Sequence, residues 1–309
     1  MNEDNFFQIF QLEESSIRGR VVRVGDVLDN ILNAHDYPLP IAHLVAETIA
    51  LSLSLSSMLK YDGIFTLQVQ GDGPLKMLVS DVTSAGVVRA CATFDEDRFQ
   101  KSREQISALK TTESSQNHLA QYLGKGYIAF TVDQGQHTER YQGIVELKGA
   151  SMVDCVQHYF TQSEQIGTGI KMAVGKREGK WRASSIMLQN MPEDDAVKKD
   201  ILGNLDEDDW RRAMVLLDSC TDDELLDREL DADQLLLRLF HEEGIRVYER
   251  KGIEKGCRCD LQRVENILYS MSEDDIQHMD VEGRIEMKCE FCSHSYMFDT
   301  NDVLDRVKL

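Results

Sequence analysis

The first 190 residues carry patterns of apolar and polar positions that predict several β-strands. Residues 16–25, SIRGRVVRVG, alternate with the period of two that is typical of a strand. Residues 64–81, IFTLQVQGDGPLKMLVSD, read as two strands joined by a turn at GDGP. Residues 125–147 repeat this arrangement around DQGQ. We therefore expect one strand and two strand–turn–strand units in this part of the chain.

A helical pattern lies between these strands. In residues 37–53, YPLPIAHLVAETIALSL, prolines stand where a helix begins, and apolar side chains follow at Ile41, Leu44 and Ile49. Strand and helix patterns that are mixed in this way predict an α+β core domain over residues 1–190.

Residues 191–245, which we call the acidic linker, change to a helical pattern. Thr221 and Glu224 in TDDE have the spacing of a capping box. Apolar side chains then fall near one face of the predicted helix, and a glycine gives a stop signal: Leu226, Leu230, Leu237, Phe240 and Gly244. Two interpretations stay open. The default is a connector with a solvated acidic face, and the alternative is an apolar stripe that can be released.

Residues 246–309 form a cysteine-bearing tail. DLQRVENILYSMS and SEDDIQHM predict two helices, and IEMKCEFCSHSYMF predicts two short strands around a CxxC turn. We expect a small C-terminal domain here.

Composition and charge narrow the class of protein. The 309 residues are 42% hydrophobic and 28% charged, which is typical of a globular protein of two or three domains. The formal net charge is −20, and the acidic linker, with 18 Asp and Glu against 6 Lys and Arg, contributes the largest share. Such acidity repels phosphate backbones, so we expect no nucleic-acid partner.

Targeting signals are not apparent. The N-terminal residues MNEDNFFQIFQLEESS lack the basic and apolar regions of a signal peptide. Residues 41–59 are the most membrane-like stretch, but His43, Glu47 and several serines favour a buried helix over a membrane span. We expect a cytoplasmic protein without a membrane partner. In that compartment thiols stay reduced, so paired cysteines favour metal binding or redox chemistry.

Four of the seven cysteines form two tight pairs. Cys257 and Cys259 make a CxC motif, and Cys289 and Cys292 make a CxxC motif. Zn²⁺ takes four soft ligands in a tetrahedron, and each pair can supply two of them. The sequence therefore predicts a Cys₄ zinc site. Zinc ribbons mostly use CxxC or longer spacings, whereas CxC holds two thiolates where they can join once the metal leaves.

The surroundings of these cysteines refine the prediction. Lys255 and Arg258 are expected to favour thiolate over thiol in the CxC motif. His294 is interpreted as an exposed loop histidine rather than a substitute ligand. The remaining cysteines are isolated in sequence and are predicted to be small buried hydrophobic residues: Cys91, Cys155 and Cys220.

The order of these motifs resembles a known family. A CxC motif followed by CxxC near the C-terminal end is similar to the redox-regulated 33 kDa chaperonin family of holdase chaperones. Segments elsewhere are also similar to that family, in the same order: ILNAHDYPLPIAHLVAE, TLQVQGDGP, TERYQGIVEL and LLRLFHEEGIRVYE. The resemblance covers nearly the whole chain.

The resemblance implies an N-terminal α+β core, a helical linker and a C-terminal zinc domain. It implies an ATP-independent holdase that is silent when reduced and zinc-bound, and that binds unfolding proteins and dimerises when oxidised. It further implies that Cys257, Cys259, Cys289 and Cys292 bind one zinc ion. On oxidation, the family pairs Cys257 with Cys259 and Cys289 with Cys292.

Elementary energetics permit such a switch. A structural zinc ion in a small domain contributes about 10–16 kcal/mol to folding. Disulfides within CxC and CxxC close very short loops. The chain-entropy model gives such short loops the smallest stabilisation of the folded state. The tail is therefore expected to unfold on oxidation, and a linker that depends on it is expected to loosen.

Three other functions fit the sequence less well. A zinc-ribbon protein could bind a nucleic acid or a protein partner without redox switching, but a nucleic-acid site needs a basic stripe. A thiol oxidoreductase needs its CxxC at a helix N-terminus, whereas KCEFCSHSYMF continues into a strand-like run. An enzyme in the N-terminal domain has no visible signature, since QGDGPLK lacks the spacing of a phosphate loop. We expect no enzymatic activity.

Overall fold

The computed structural model describes residues 4–108, 119–134, 141–191 and 199–307. Helices and strands are mixed along these residues, which confirms the predicted α+β class. The strands, in chain order, are β1 (Asn5–Leu12), β2 (Ile17–Val24), β3 (Ile64–Gly71), β4 (Leu75–Thr83), β5 (Val87–Phe94), β6 (Gly126–Asp133), β7 (Tyr141–Glu146), β8 (Thr168–Arg177), β9 (Lys180–Asn190), β10 (Ile245–Val247), β11 (Lys251–Gly252), β12 (Glu254–Lys255), β13 (Arg284–Lys288) and β14 (Ser295–Asp299). The α-helices are α1 (Asp26–Leu32), α2 (Leu39–Ser56), α3 (Glu96–Ala108), α4 (Met152–Tyr159), α5 (Lys199–Asp218), α6 (Asp222–Leu226), α7 (Ala232–Phe240), α8 (Leu261–Tyr269), α9 (Glu273–Met279) and α10 (Thr300–Val307).

The chain forms two compact units, Met1–Lys255 and Gly256–Leu309. The predicted division into domains at residues 190 and 245 stays a prediction. The structure places the beginning of the predicted tail in the first unit, because β10 and β11 pair with β1, and β12 pairs with β5. The unit that carries the four paired cysteines begins at Gly256.

One sheet of the first unit has the strand order β10-β1-β2-β9-β8, and β11 also pairs with β1. Its strand β2 was predicted from alternation and is confirmed, but it is buried on both faces. Only Arg18 in that strand is exposed. The reason is that the sheet has cover on each side, from α2 on one face and from the helices of the acidic linker on the other.

The second sheet has the order β12-β5-β4-β3-β6-β7. It contains both strand–turn–strand units predicted from sequence. Strands β3 and β4 pair across the GDGP turn, and β6 pairs with β7. Of the predicted DQGQ turn, the structure describes Asp133 and Gln134, and the rest lies outside the described residues.

Helix α2 packs against both sheets and is almost entirely buried. Its serines are satisfied by hydrogen bonds to each sheet: the hydroxyl of Ser52 lies 2.7 Å from that of Ser80, and Ser54 lies 2.7 Å from Ser185. Among the described residues, α2 is the one helix long and apolar enough to cross a membrane, and 78% of that stretch is buried inside the protein. A membrane span was predicted to be the weaker interpretation, and this burial agrees with a core helix.

The acidic linker folds as separate helices rather than one. The predicted capping box is confirmed, because the Thr221 hydroxyl accepts from the backbone N–H of Glu224, whose carboxylate accepts from the N–H of Thr221. Helix α6 ends at Leu226, and α7 begins after a new cap at Asp231. The prediction of a single stripe is therefore wrong in detail.

The break changes which side chains face the sheet. Leu226 and Phe240 are buried, as predicted, but Leu237 is 54% exposed. The apolar contact with the first sheet is made by a different set: Ala213, Leu217, Cys220, Leu225, Leu226, Ala232, Leu235, Leu236, Leu239 and Phe240. These residues cover Phe6, Phe10, Ile17 and Val21.

The second unit has a small core of its own. Helices α8 and α9 and the hairpin of β13 and β14 confirm the predicted elements of the tail, and α10 follows them. Four side chains are buried in its centre: Leu268, Ile276, Ile285 and Val303. So small a core favours an additional source of stability.

Candidate metal centre

The CxC motif lies directly before helix α8. Asp260 caps this helix, since its carboxylate accepts from the backbone N–H of Arg263 at 2.8 Å. The guanidinium of Arg263 then donates to the carbonyl of Arg258 at 2.9 Å. The cap and this hydrogen bond fix the short segment that carries Cys257 and Cys259.

The CxxC motif is the turn between β13 and β14. The backbone N–H of Ser293 donates to the carbonyl of Cys289 at 2.8 Å, and the N–H of Cys289 donates to the carbonyl of His294 at 2.9 Å. Ser293 has φ 59°, the left-handed conformation that lets the chain reverse within so few residues. The turn therefore presents Cys289 and Cys292 toward one point.

The four sulfur atoms converge. Cys257 Sγ lies 3.7 Å from Cys289 Sγ, and Cys259 Sγ lies 3.5 Å from Cys292 Sγ. All four sulfurs lie within 4.8 Å of one another, and all four residues are half-buried. Sulfurs at the roughly 2.3 Å Zn–S distance of a tetrahedral site are about 3.8 Å apart, so this cluster fits zinc. Four cysteines in this arrangement could hold a zinc ion, and their assignment as its ligands stays a prediction.

The electrostatics of the thiols also favour a cation. Burial raises the pKa of Cys257, but hydrogen bonds from the Cys259 backbone and from neighbouring thiols lower it to about 7. Burial, together with hydrogen bonds to the other three thiols, raises the pKa of Cys292 to about 12, although a backbone hydrogen bond from His294 acts in the opposite direction. One thiolate is thus accommodated easily, whereas several require a positive ion among them.

The predicted role of Lys255 and Arg258 is not what the contacts show. Lys255 Nζ donates to the carbonyl of Asn30 at 2.7 Å. Hydrogen bonds within the cluster, rather than these two cations, lower the pKa of Cys257.

Comparison with known proteins identifies the family. The family model described as Hsp33 protein matches residues 5–299. This chain belongs to the Hsp33 family. The match runs through both units and through the acidic linker, so the resemblance inferred from scattered segments is confirmed over nearly the whole chain.

Relatives and a solved structure agree with this assignment. The "33 kDa chaperonin" of Caulobacter vibrioides is 34% identical over 303 residues, which cover 96% of this chain and 95% of that protein. That of Pseudomonas fluorescens is 35% identical, with coverage of 97% and 93%. The fold is similar to that of the 33 kDa chaperonin from Thermotoga maritima, with a TM-score of 0.78, 19% identity and 98% of each chain covered. Membership of the Hsp33 family supports a chaperone function.

The three isolated cysteines of this Hsp33 chain are buried, as predicted from sequence: Cys91, Cys155 and Cys220. Burial raises the pKa of the Cys155 thiol, which donates to the carbonyl of Lys148 at 3.4 Å. Burial and the nearby Glu224 raise the pKa of Cys220 to about 11. Raised pKa values make the thiols of Cys155 and Cys220 poor ligands and poor nucleophiles.

His294 is exposed, as predicted, and its ring lies 4.6 Å from that of Tyr296. Among the described residues, the group of side chains that could hold a metal ion consists of the four cysteines. Tyr296 on strand β14 is a further residue of this site, and its hydroxyl hydrogen-bonds to Cys259. It was not predicted from the sequence. Only the pairing of β13 with β14 brings this tyrosine back to the CxC motif, so no local signal could have identified it.

Proposed function

We propose that this chain is a redox-regulated, ATP-independent holdase of the cytoplasm. The reduced protein binds one zinc ion through Cys257, Cys259, Cys289 and Cys292 and is silent. Oxidation of these cysteines opens the protein, which then binds unfolding proteins. The active form is a homodimer without nucleic-acid or membrane partners, and no catalytic step is involved.

The observation that carries the proposal is the convergence of four thiols in a unit with four fully buried apolar side chains. Bound zinc would supply roughly 10–16 kcal/mol of folding free energy there. A core of this size contributes only a few kcal/mol beyond the conformational entropy that it must offset. The fold of residues 256–309 therefore depends on the state of its thiols.

The redox step is a two-electron oxidation of each cysteine pair. Two thiols lose two electrons and two protons and form one S–S bond. A peroxide of the type HOOH accepts them, its O–O bond breaks, and two water molecules form. The pairs proposed are Cys257–Cys259 and Cys289–Cys292, as in the family.

The choice of pairs decides whether oxidation loosens or tightens the unit. Disulfides within each motif close very short loops and leave the two motifs unconnected. The sulfurs of the cross pairs are also close, at 3.7 Å for Cys257 and Cys289 and 3.5 Å for Cys259 and Cys292, and these pairs join residues 32 and 33 positions apart. Disulfides between the cross pairs would join the CxC motif covalently to the CxxC motif, so oxidation would stabilise the unit. Mapping the disulfides by mass spectrometry after peroxide treatment therefore tests the switch directly.

The acidic linker connects this switch to a client surface. It covers an apolar face of the first sheet that includes Phe6, Phe10, Ile17 and Val21. Residues 246–255 follow the linker and precede Gly256, and they pair with the two sheets of the first unit through the short strands β10, β11 and β12. When the second unit unfolds, this segment is no longer followed by folded structure at its C-terminal end. The linker then loosens, and the apolar face becomes available to clients.

The deciding experiment measures zinc release and chaperone activity together. Reduced protein is treated with hydrogen peroxide while a chromogenic chelator reports zinc. Samples are assayed for suppression of citrate synthase aggregation without nucleotide. We expect the two signals to rise in parallel, and reduction with added zinc to reverse both. Zinc release with no gain in suppression would overturn the proposal and leave a structural zinc domain without a redox switch.

A further inference from the structure

The loop that joins α6 to α7 lies against a buried arginine of the sheet. Arg23 on β2 is 3% exposed. Its Nη1 donates to the carbonyl of Leu230 at 2.5 Å and to that of Asp227 at 3.3 Å. The linker thus contributes two backbone carbonyl oxygens to Arg23, and none of the described linker carboxylates is hydrogen-bonded to this guanidinium.

A second arginine beside the first does bind carboxylates of the linker. Nη2 of Arg250 donates to both carboxylate oxygens of Asp231 at 2.9 Å, and lies 3.2 Å from Asp233. Arg250 is also attached to strand β1, because its Nε donates to Gln8 and its guanidinium lies 4.6 Å from the centre of the Phe6 ring. Its contacts with β1 do not depend on the linker.

The donor capacity of Arg23 is only partly used. Within the described residues, its Nε and Nη2 have no hydrogen-bond acceptor. The nearby Arg182 is paired with Asp4, so that acidic group is already engaged. A buried guanidinium with unused donors is costly, and a carboxylate can satisfy it through two parallel hydrogen bonds. This site is better suited to a carboxylate than to the carbonyls that now cover it.

The same surface is apolar beside these arginines. Phe6 and Phe10 come from β1, and both are buried beneath leucines of the linker. In the linker, carboxylates and apolar side chains follow one another along the chain. Asp231 and Asp233 come directly before the buried stripe of Leu235, Leu236 and Leu239. The linker is therefore an internal example of a ligand for this surface.

We propose that the surface uncovered on activation selects unfolded segments in which carboxylates precede an apolar stripe, and that Arg23 and Arg250 determine this specificity. The inference rests on the proposed function, since the surface is free only after the linker leaves. In the silent protein the acidic linker occupies the site of such a client. An activated chaperone then prefers acidic–apolar segments over equally apolar segments that lack the carboxylates.

Labelled peptides test the preference on the oxidised full-length protein. The parent peptide has the sequence of residues 222–240, and one variant carries Asp231→Asn with Asp233→Asn. A matched variant of the same net charge carries Asp222→Asn with Glu229→Gln, at two exposed positions that precede Asp231. We expect fluorescence anisotropy to show about tenfold weaker binding of the first variant and unchanged binding of the second. Competition from the tethered linker lowers all three affinities alike and leaves their ratios unaltered.

Protein variants test the two arginines. Arg250→Gln is expected to reduce the tenfold preference to less than about threefold. Arg23→Gln is expected to do the same, with circular dichroism to verify its fold. Arg246→Gln, which removes an exposed arginine paired with Glu13, is the matched control and should preserve the preference. If Arg23→Gln does not fold, Arg250→Gln decides alone.

Suppression of citrate synthase aggregation by the same oxidised samples separates this inference from the proposed function. Full suppression with equal binding of the three peptides overturns the inference and leaves the holdase intact. Equal loss of binding by both peptide variants also overturns it, because net charge rather than the arginine site would then set affinity. Failure to suppress aggregation and to bind any peptide overturns both.

Discussion

The ring of Phe240 lies 5.9 Å from the ring of Phe10, with an interplanar angle of 28°. Phe10 belongs to β1 and Phe240 ends helix α7, and both are completely buried. This stacked pair joins the acidic linker to the sheet at the centre of their shared core. The docked position of the linker therefore depends on apolar contacts that a charged side chain would abolish.

Replacing Leu236 and Phe240 with aspartate should activate the reduced protein. Each buried side chain contributes roughly 1.5–3 kcal/mol, so the double change removes several kcal/mol of docking. We expect the reduced, zinc-loaded variant to suppress citrate synthase aggregation without peroxide. Hydrogen exchange should show lost protection in α7 while zinc content stays at one ion per chain.

Leu237→Asp is the matched control for this experiment. Leu237 is 54% exposed although it neighbours a fully buried leucine, so its replacement should leave the reduced protein silent. If the Leu236 and Phe240 variant is also silent and loses no protection, the linker is only a tether, and clients bind elsewhere on the first unit.

The exposure of Leu237 is a feature of the linker that could not be predicted from the sequence. The cap at Thr221 and Glu224 was predictable because it depends on residues three apart in one turn. The face occupied by Leu237 was not, because the helical phase restarts at Asp231. A periodicity that is read through such a break assigns side chains to the wrong face.

The candidate metal site likewise has features that could be predicted from the sequence and features that could not. The clustering of the four cysteines could be predicted from the spacing of CxC and CxxC, because such paired cysteines are typical of metal sites. The contacts of Tyr296 with Cys259 and of Arg250 with Asp231 could not. Both depend on elements distant in sequence, and no single-residue pattern encodes their meeting.

Cys289→Ser should abolish tight zinc binding, whereas Cys91→Ser should not. Cys289 is one of four converging thiols, while Cys91 is a buried residue of strand β5. Metal analysis of the purified reduced proteins should give one zinc per chain for the parent and for Cys91→Ser. X-ray absorption of the parent should show four sulfurs in the first shell. Nitrogen or oxygen in that shell would count against the Cys₄ assignment.

Oxidation should unfold the second unit and enlarge the exposed apolar surface. Loss of the thiolate donors leaves Leu268, Ile276, Ile285 and Val303 as its core, which is too small to be stable alone. We expect complete loss of amide protection in α8 and α9, increased binding of an apolar dye, and a sedimentation coefficient that indicates dimers. Unchanged dye binding and sedimentation after full zinc release would refute this sequence of events.

Docking of the linker through Asp231 should be insensitive to pH between about 8 and 5 as long as zinc stays bound. Burial raises the pKa of Asp231, but its hydrogen bonds with Arg250 and the Asp233 backbone lower it overall. A depressed pKa stabilises docking above the ordinary aspartate value near 4, and this contribution is lost only as the pH falls through the lower docked value. Tryptophan fluorescence and client binding of the reduced protein should stay constant over this range. A transition centred near pH 6 would show that another group controls the linker.

Asp231→Asn should make the switch more sensitive to oxidant without destroying the linker helix. Asparagine preserves the cap of α7 and keeps a hydrogen bond to Arg250, but the charge pair is lost. Since the Asp231 side chain is 44% exposed, solvent screening limits the effect to about 1 kcal/mol, which is about a fivefold change in the opening equilibrium. The time to half-maximal client binding in peroxide should shorten accordingly. Glu229→Gln removes an equal charge from an exposed position of the same loop and should behave as the parent. Equal acceleration by both variants would mean that repulsion among the linker carboxylates, rather than the contact with Arg250, sets the threshold.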